Sequence, residues 1–410
     1  MSLGSFGIAL SGLAAAQSNL NTTANNIANA NTVGFKESST EFGDLYQSSL
    51  YGASTTQSGS GVAVIRQAQD FSQGSLTTTN NSLDMAISDG SGFFTLSDKG
   101  SLIYSRAGSF TTDNNGYVVN GAGQRLQVFA ALPGGTAFNT GGLSDLQLSN
   151  ADNPPSATSK VAVQLNLPSG ASAPANATFS ATDPTSYNQT TSVTIYDSLG
   201  ASHSANLYFV AGATPNDWTM YTSVDGTVQA GSTALKYSNS GALVTPANGQ
   251  VTLPGFTPAN GAAALNLSLD MSKTTQFGSE FAVSALNQNG YATGKLTGIA
   301  VDNTGVVQAR YSNGQSTPLG QVALTTFANP QGLQQLGNAS WAETFGSGQA
   351  LRGVAGATNF GQIQSKSLES SNVDLTTQLV NMITAQRSYQ ANAQMIQTAD
   401  QITQTIINIR

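Results

Sequence analysis

The sequence contains no cysteine, and His203 is the only histidine among its 410 residues. Without cysteine the chain has no disulfide, no thiol nucleophile and no cysteine-bound metal. One histidine cannot build a multi-histidine metal site, and it leaves no spare base for a Ser–His–Asp arrangement. We therefore expect neither an enzyme nor a protein with a cofactor.

Charged residues are also scarce. They make up 9% of the chain, whereas about a quarter is usual. The net charge is −7, and no stretch is rich in lysine or arginine. Binding to phosphates requires a basic face, so nucleic acid is not an expected partner. The polarity comes instead from Ser, Thr, Asn and Gln, together with 43 glycines.

Long apolar runs are missing as well. None approaches the roughly 20 residues that cross a bilayer, so we expect no membrane partner. The N-terminal "MSLGSFGIALSGLAAAQ" is similar to a secretory signal, but such signals begin with positive charge. Here the first charged side chain is Lys36. We therefore expect that an exported chain would keep its N-terminus.

A helical repeat of apolar residues occurs at both ends of the chain and nowhere between them. At the N-terminus, two rows spaced by seven residues interleave at steps of three and four, which is typical of a coiled-coil seam. Gly7 and Gly12 each cost such a helix about 1 kcal/mol relative to alanine. The predicted seam residues are Leu3, Phe6, Leu10, Leu13, Leu20 and Ile27.

The C-terminal repeat follows Ser371, Asn372 and Asp374, which are natural helix caps. From residue 375 to 409 the only charges are Arg387 and Asp400. About 35 helical residues would span about 50 Å, which is more than one small domain can cover. The seam slips phase after residue 396. Its predicted residues are Leu375, Leu379, Met382, Tyr389, Ile396, Ile402, Ile406 and Ile409.

These two uncharged amphipathic helices are not expected to be stable alone. We predict that the chain ends meet in one coiled-coil-like domain, and that several copies of this pair bury one another. Coiled coils that select partners in water usually carry charges beside the seam. Their absence favours association through shape and amide hydrogen bonds. The seam residues are therefore the predicted interface between subunits.

The rest of the chain shows strand and hairpin signals. Turn residues that tolerate positive φ occur at Asp113–Gly116, Asp302–Gly305, Asn313–Gly314, Asn289–Gly290 and Asp89–Gly90. The clearest hairpin, "TSVTIYDSLGASHSANLYFV", turns at 197–200. Composition shifts towards Pro, Gly and Ser at "NPPSATSK", which marks the start of a separate section.

The predicted fold is mixed and mainly β. Two β-barrel or sandwich-like domains, the outer one inserted in the inner one, stand on a helical domain made by both chain ends. The predicted parts are a helical domain (1–30 plus 366–410), a linking segment (31–70 plus 346–365), an inner β domain (71–150 plus 280–345) and an outer β domain (151–279).

Candidate chemical residues have simpler interpretations. Asp113, Asp197 and Asp302 lack the spacing of a calcium loop and are better explained as turn formers. His203 is expected on a solvated strand position. Glu37 and Glu41 are expected in a solvated turn. Trp218 and Trp341 are predicted to be buried in cores rather than to form sugar-binding platforms.

Three stretches resemble one known family, the bacterial flagellar axial proteins of the rod, hook and hook-associated group. The first is "NNIANANTVGFK", the second is "NVDLTTQLVNMITAQRSYQANAQMIQTADQ", and the third is the β segment from "GSLTTTNNSLDMAISDGSGFFTLSD" to "QRLQVF". Together they cover roughly a third of the chain. The residues that match the family signatures are Asn25, Asn26, Asn29, Asn31, Gly34, Phe35, Asn372, Asp374, Gln386, Arg387, Tyr389, Gln390 and Asp400.

Within that group, the length and the single β insertion favour the hook branch over a distal rod or hook-associated protein. The resemblance implies a structural subunit that polymerises with itself into a curved tube and passes torque as a universal joint. It also implies export through the flagellar type III apparatus without a cleaved signal peptide, to an extracellular position in the hook. The implied partners are the distal rod protein, the hook cap protein and the hook–filament junction protein.

A secreted β-sandwich adhesin is the alternative from another class. The polar, weakly charged composition fits an adhesin equally well. An adhesin, however, has no need of apolar helices at both chain ends. Electron microscopy of the purified protein separates the two classes, because only the axial protein forms tubes.

Overall fold

A computed structural model describes residues 3–45, 59–88, 91–135, 137–149 and 151–408, with the backbone alone for 3–5 and 406–408. The described residues divide into two compact units. Unit 1 comprises those of Met1–Asn150, Gly298–Arg310 and Ser316–Arg410, and unit 2 comprises those of Ala151–Thr297 and Tyr311–Gln315. Both chain ends therefore belong to the same unit.

The helices are α1 (Leu3–Ala28) and α2 (Leu375–Asn408). The first strands are β1 (Ser38–Asp44), β2 (Val62–Gln69), β3 (Leu76–Thr78), β4 (Met85–Ser88), β5 (Phe93–Asp98), β6 (Ser101–Ser105), β7 (Phe110–Thr112), β8 (Val118–Asn120), β9 (Arg125–Ala130) and β10 (Ser144–Asp145). Next come β11 (Lys160–Pro168), β12 (Gln189–Tyr196), β13 (Ser202–Ala211), β14 (Asp217–Val224), β15 (Thr227–Val228), β16 (Thr233–Tyr237), β17 (Leu243–Thr245), β18 (Gln250–Thr252), β19 (Ser268–Asp270), β20 (Thr275–Phe277) and β21 (Ala282–Gln288). The last are β22 (Leu296–Val301), β23 (Val306–Tyr311), β24 (Ser316–Thr326), β25 (Gln334–Gly337), β26 (Ser340–Ala342), β27 (Leu351–Val354), β28 (Gln362–Ser365) and β29 (Ser367–Glu369).

The fold is mainly β with one long helix at each end of the chain, as the sequence predicts, and α1 packs against α2. The Asp374 side chain caps α2, since its Oδ1 accepts a hydrogen bond from the Thr377 N–H at 2.6 Å. At the other end of the pair, α1 stops at Ala28, and the chain turns through an asparagine-rich corner into β1. The predicted meeting of the two chain ends is confirmed.

Unit 1 is organised around one large sheet. In the described part of the chain this sheet has 12 strands. Eight of them follow the order β22–β23–β24–β9–β5–β6–β26–β25, and the other four, β7, β8, β10 and β27, pair at the side of this path. Its main core combines side chains from early and late strands, such as Phe94, Leu126 and Leu324, all of them fully buried. A smaller aromatic core contains Trp341, which confirms its predicted buried position.

The turns predicted outside the 197–200 hairpin are local and mostly correct. Asp113–Gly116 joins the antiparallel strands β7 and β8, and Asn313–Gly314 separates β23 from β24. Asn289–Gly290 does not join neighbouring strands, which corrects that prediction. Instead the Asn289 side chain accepts hydrogen bonds from the N–H groups of residues 159 and 160. Asp89–Gly90 lies outside the described residues.

Unit 2 is built from two sheets that share one core. Within the described residues one sheet has five strands around β11, which pairs in parallel with β19 and β20 and antiparallel with β21. The other has six strands in the order β12–β13–β14–β16–β17, with β15 at the side of β14. Every second residue of β11 is buried, as expected for a strand with one covered face. Trp218 lies in this core, as predicted.

The predicted domain limits stay predictions, but the strand pairings bear on them. β21 begins after residue 279 and pairs with β11 of unit 2. β27 and β28, which lie within the predicted linking segment, pair with β24 and β4. The other part of that segment contains the antiparallel ribbon of β1 and β2.

Candidate functional site: the terminal helices and their junction

The predicted seam residues fall into two classes. The exposed members have side chains between 46% and 52% accessible, and they are Phe6, Leu10, Leu375, Leu379 and Ile402. The half-buried members are Leu13, Leu20, Ile27, Met382, Tyr389 and Ile396. The side chains of Leu3 and Ile406 are not described, and Ile409 lies outside the described residues. The single chain therefore covers only part of the predicted seam.

The face that α2 covers within the chain follows a regular heptad. Seven of its eight buried or half-buried residues recur at alternating steps of four and three, and they are Gln378, Met382, Ala385, Tyr389, Asn392, Ile396 and Ala399; the eighth is Ala393. This spacing is that of a coiled-coil seam. It differs from the predicted row at its start, because Gln378 is buried while Leu375 and Leu379 face solvent.

The two helices approach closely at Gly12. A Cβ added to this glycine would lie 2.7 Å from Oδ1 of Asn392, which belongs to the α2 heptad. Glycine costs a helix about 1 kcal/mol relative to alanine, and here it leaves space for an asparagine from the other helix. On another face, α1 contacts the β1–β2 ribbon: Thr22 and Thr40 share a hydrogen bond at 2.9 Å, and Ser11 Oγ accepts one from the Val62 N–H.

The helices expose further apolar side chains that sequence reasoning missed. On α2 these are Val380, Ile383 and Met395, between 47% and 58% accessible. The sequence does contain a signal, because Leu379 and Ile383 continue the row of Leu375 at steps of four. We call Leu375, Leu379, Val380 and Ile383 the α2 stripe. No charged residue lies between Leu375 and Gln386, so no charge interrupts the stripe, which spans about two helical turns.

The asparagine-rich corner after α1 ties both chain ends to the β structure. Asn26 is 1% exposed. Its amide donates to the Ser38 carbonyl at 2.8 Å and to Gln378 Oε1 at 3.2 Å, while its oxygen accepts from the Ser38 N–H. One side chain thus joins α1, β1 and α2. The asparagine costs the helix some propensity but satisfies three polar groups that are otherwise buried.

Asn372 makes the matching connection from the other chain end. Its Oδ1 accepts from the Glu37 N–H at 2.8 Å, and its amide donates to the Asp70 carbonyl at 2.9 Å. Glu37 in turn accepts a hydrogen bond from Gln378 at 2.7 Å. The prediction that Glu37 and Glu41 lie in a solvated turn is therefore wrong, since Glu41 is in β1 and pairs with Arg66 at 2.8 Å.

The corner itself depends on Gly34. Its φ is +69°, a conformation that L side chains rarely adopt, and an added Cβ would collide with the backbone of residues 106 and 107. The Gly34 N–H donates to the Glu369 carbonyl at 2.8 Å. The signature glycine is thus required by close approach of two backbones, and it brings the first chain end next to the strand that precedes α2.

A buried ion triad lies beside this corner. Glu369 Oε1 is 2.6 Å from Lys36 Nζ, and Glu369 Oε2 is 3.4 Å from Arg106 Nη1. All three side chains are at most 3% exposed. Burial lowers the pKa of Lys36, and the neighbouring Glu369 partly offsets that effect. Lys36 also donates to the Ser72 carbonyl at 2.6 Å. Sequence reasoning missed the triad, because its members lie far apart in the chain.

The other signature residues are more exposed. Gln386, Arg387 and Gln390 face solvent on α2, and Asp400 accepts a hydrogen bond from the Gln404 amide one turn later. Asn31 is exposed at the corner. A cleft of about 460 Å³ borders the corner, and its lining includes Asn25, Asn29, Phe35 and Trp341.

Candidate chemical residues elsewhere serve structural roles. Asp113 and Asp302 each accept hydrogen bonds from the backbone N–H groups of their own turns, as predicted. His203 is not on a solvated strand position, which corrects the prediction: its side chain is 11% exposed and lies between two carboxylates. Among the described residues, no group of His, Asp or Glu side chains is arranged to hold a metal ion.

The helices at the two chain ends carry only two charged side chains, Arg387 and Asp400. Such helices, joined to β structure with a core of its own, define a structural subunit built for assembly. Four family models match parts of the chain. They are the flagella basal body rod protein (residues 6–36), the flagellar hook protein FlgE/F/G D1 domain (86–177), the flagellar basal body protein FlaE D2 domain (166–291) and the flagellar basal body rod FlgEFG protein C-terminal region (364–409).

Relatives that match over nearly their whole length are also flagellar hook proteins. The flagellar hook protein FlgE of Salmonella typhimurium (strain LT2) is 41% identical, covering 99% of this chain and 100% of the relative. That of Escherichia coli (strain K12) is 39% identical with the same coverage, and that of Borreliella burgdorferi is 32% identical over 98% of both chains. The chain belongs to the flagellar hook protein family.

A solved structure has the same fold. The Helicobacter pylori flagellar hook protein FlgE2 is similar with a TM-score of 0.53 at 16% identity, covering 72% of this chain and 100% of that one. Among the described residues, neither helix is long and apolar enough to cross a membrane. These comparisons extend the resemblance of three stretches to nearly the whole chain.

Proposed function

We propose that this chain is the structural subunit of a flagellar hook and polymerises with itself through its terminal helices. The carrying observation is the α2 stripe: its four large apolar side chains lie next to one another on one helix and are between 46% and 58% exposed. Covering such a side chain stabilises an assembly by roughly 25 cal/mol per Å² of apolar surface removed from water. Identical copies supply identical stripes, so self-association covers all of them.

The geometry of association follows from the asymmetry of the two helices. α1 and α2 expose different apolar residues, which favours contact between unlike surfaces of neighbouring copies. A head-to-tail contact of this kind that does not close generates a helical polymer. The scarcity of charge on the helices lets many copies pack without like-charge repulsion. A tube is therefore the expected form of the assembly.

A universal joint must bend while it rotates, so its rows of subunits lengthen and shorten in turn. The β units expose surfaces rich in Ser, Thr, Asn and Gln. Contacts between such surfaces exchange partners and waters at low cost. We therefore propose that the helices hold the tube together while contacts between β units slide. Torque passes from the rod to the filament through this tube.

The partners follow from that position. We propose contacts with the distal rod protein at one end of the tube, the hook–filament junction protein at the other, and the hook cap protein during growth. We propose export by the flagellar type III apparatus to an extracellular position. Catalysis and binding of nucleic acid or membrane form no part of this role.

Electron microscopy of the purified protein tests the proposal with two variants of α2. Leu379→Asp places a charge in the α2 stripe, where a neighbouring copy would have to bury it without a partner, at a cost of several kcal/mol. Asn381→Asp adds the same charge at an exposed position outside the stripe. We expect tubes from the unchanged protein and from Asn381→Asp, and none from Leu379→Asp. All three should melt at the same temperature, because Leu379 is 47% exposed in the single chain.

Two results would count against the proposal. Normal tubes from Leu379→Asp would show that the stripe is not the interface between copies. A failure of the unchanged protein to form tubes at any concentration, together with binding to host cells or sugars, would favour the adhesin alternative.

A further inference from the structure

The cluster around His203 lies in unit 2, apart from the terminal helices in the chain. His203 Nδ1 is 2.6 Å from Asp225 Oδ2, and its Nε2 is 3.2 Å from Asp197 Oδ2. The edge of the ring faces Phe256, with the ring centroids 5.6 Å apart. Asp197 and Asp225 are the charged side chains that the described structure places against His203. Both nitrogens of the imidazole therefore point at carboxylate oxygens.

This geometry selects one protonation state. A carboxylate can only accept hydrogen bonds, and a neutral imidazole has one N–H, so only the imidazolium can bond both partners. Burial by itself lowers the pKa of His203, but the hydrogen bonds that it donates to Asp225 and Asp197 raise the pKa above its ordinary value. Burial would raise the pKa of Asp197, yet hydrogen bonds from Asn260, His203 and its own turn hold it at about 2. The carboxylate thus stays charged near neutral pH.

The cluster joins three loops of unit 2. Asp197 lies in the β12–β13 turn, where its Oδ1 accepts from the N–H groups of residues 199 and 201. Its Oδ2 accepts from the Asn260 amide at 2.5 Å. Asp225 lies in the two-residue β14–β15 turn with φ of +50°, followed by a glycine. Asp225 Oδ1 accepts from the Ser204 N–H at 2.9 Å.

We propose that His203 is a proton-dependent clamp that holds the β14–β15 turn against the β12–β13 turn while it is charged and releases it when neutral. The neutral ring keeps its one N–H towards Asp197, because the Asp197 side chain is fully buried and cannot turn to water. The Asp225 side chain is 45% exposed and can be hydrated instead. A lone pair would then face the Asp225 carboxylate, which pushes the turn away.

The sign of the pH dependence follows. A histidine whose pKa is higher in the folded state stabilises the fold fully below its ordinary value of about 6.5, and this contribution is lost as the pH rises through the folded value. Unit 2 should therefore hold the β14–β15 turn tightly in mildly acidic solution and loosen it in alkaline solution. In strongly acidic solution the clamp is lost as well, because Asp197 and Asp225, whose pKa values are lowered, then become protonated.

The single histidine makes a direct test possible. Its imidazole gives one NMR resonance in the full, unassembled chain, and the midpoint of its pH titration is the folded pKa. We expect a midpoint above the ordinary value, and a proton affinity reduced at least threefold in Asp225→Asn. The matched control is Asp217→Asn, which removes the carboxylate of an exposed ion pair with Lys236 in the same unit. This control should leave the midpoint unchanged.

Hydrogen exchange gives a second readout that a purely structural histidine would not move. The Ser204 amide should be protected below the midpoint, and its opening should increase at least tenfold above it, after correction for the intrinsic rate. His203→Gln should remove this step at every pH. A midpoint at or below the ordinary value, an unchanged midpoint in Asp225→Asn, or equal protection on both sides of the midpoint would overturn the clamp.

Discussion

The terminal helices and unit 2 handle apolar surface in opposite ways. Unit 2 has 21 buried side chains in one cluster, including Phe209, Trp218 and Met271. In the described parts of α1 and α2, the fully buried apolar side chains are four alanines, Ala9, Ala15, Ala16 and Ala385. Every larger apolar side chain described on the helices is half-buried or exposed. Unit 2 therefore has a core of large apolar side chains within the single chain, whereas the described helices bury none fully.

This contrast shows which contacts stabilise unit 2 and which stabilise the helix pair. An alanine methyl group removes little apolar area from water, so alanine contacts alone hold a helix pair weakly. Large side chains in a closed core contribute about 1.5–3 kcal/mol each. The helices are instead attached to the β structure of unit 1 by polar contacts at the junction. Their own apolar surface remains available for other copies.

Removing this attachment should have the strongest consequence for stability. Glu369→Ala leaves Lys36 and Arg106 buried without their carboxylate, and such a change costs about 3–5 kcal/mol. Urea unfolding should show unit 1 destabilised by this amount. The control is Glu41→Ala, which removes a carboxylate from the exposed pair with Arg66 and should cost less than about 1 kcal/mol. An equal decrease in the free energy of unfolding for the two variants would mean that the buried triad stabilises unit 1 no more than the exposed pair does.

Most of the fold was predictable because its signals are local. The caps and turns at Asp374, Asp113 and Asp302 use hydrogen bonds to backbone groups within four residues. The helical repeats at both chain ends are equally local. The change in composition near residue 150 is local too, and the domain limit that it predicts stays a prediction. The class of fold and its incomplete helices can therefore be inferred from the amino-acid sequence alone.

The junction could not be predicted, because its partners are distant in the chain. Lys36 and Glu369 are 333 residues apart, and no local pattern marks them as a pair. The contact that α2 makes within the chain at its start could not be predicted for a related reason. Leu375 and Leu379 are better core residues than Gln378 by hydrophobicity. Gln378 is nevertheless buried, because Asn26 and Glu37 provide hydrogen bonds for its amide.

A second, weaker effect tests the corner that positions the junction. Gly34→Ala introduces both a strained φ and a collision with the backbone of residues 106 and 107. Gly100→Ala is the matched control, because Gly100 has φ of +96° but no atom within 4 Å of an added Cβ. The control should lose about 1 kcal/mol from the strained φ alone, and Gly34→Ala should lose at least about 1–2 kcal/mol more. Thermal melting of unit 1 measures both, and similar losses would show that the corner can relax.

The weakest of these effects concerns the packing of α1 itself. Gly7→Ala adds a methyl group with nothing within 4 Å, so α1 should gain up to about 1 kcal/mol of helix propensity. Gly12→Ala gains the same propensity, but its Cβ would lie 2.7 Å from the Asn392 side chain. Asn392 must then move, and part of the gain is lost. Hydrogen exchange of the α1 amides in the unassembled chain should therefore slow more in Gly7→Ala than in Gly12→Ala. Equal slowing would show that α1 and α2 do not approach each other at Gly12 in the unassembled chain. The helix pair would then be more mobile than the close approach of Gly12 and Asn392 indicates.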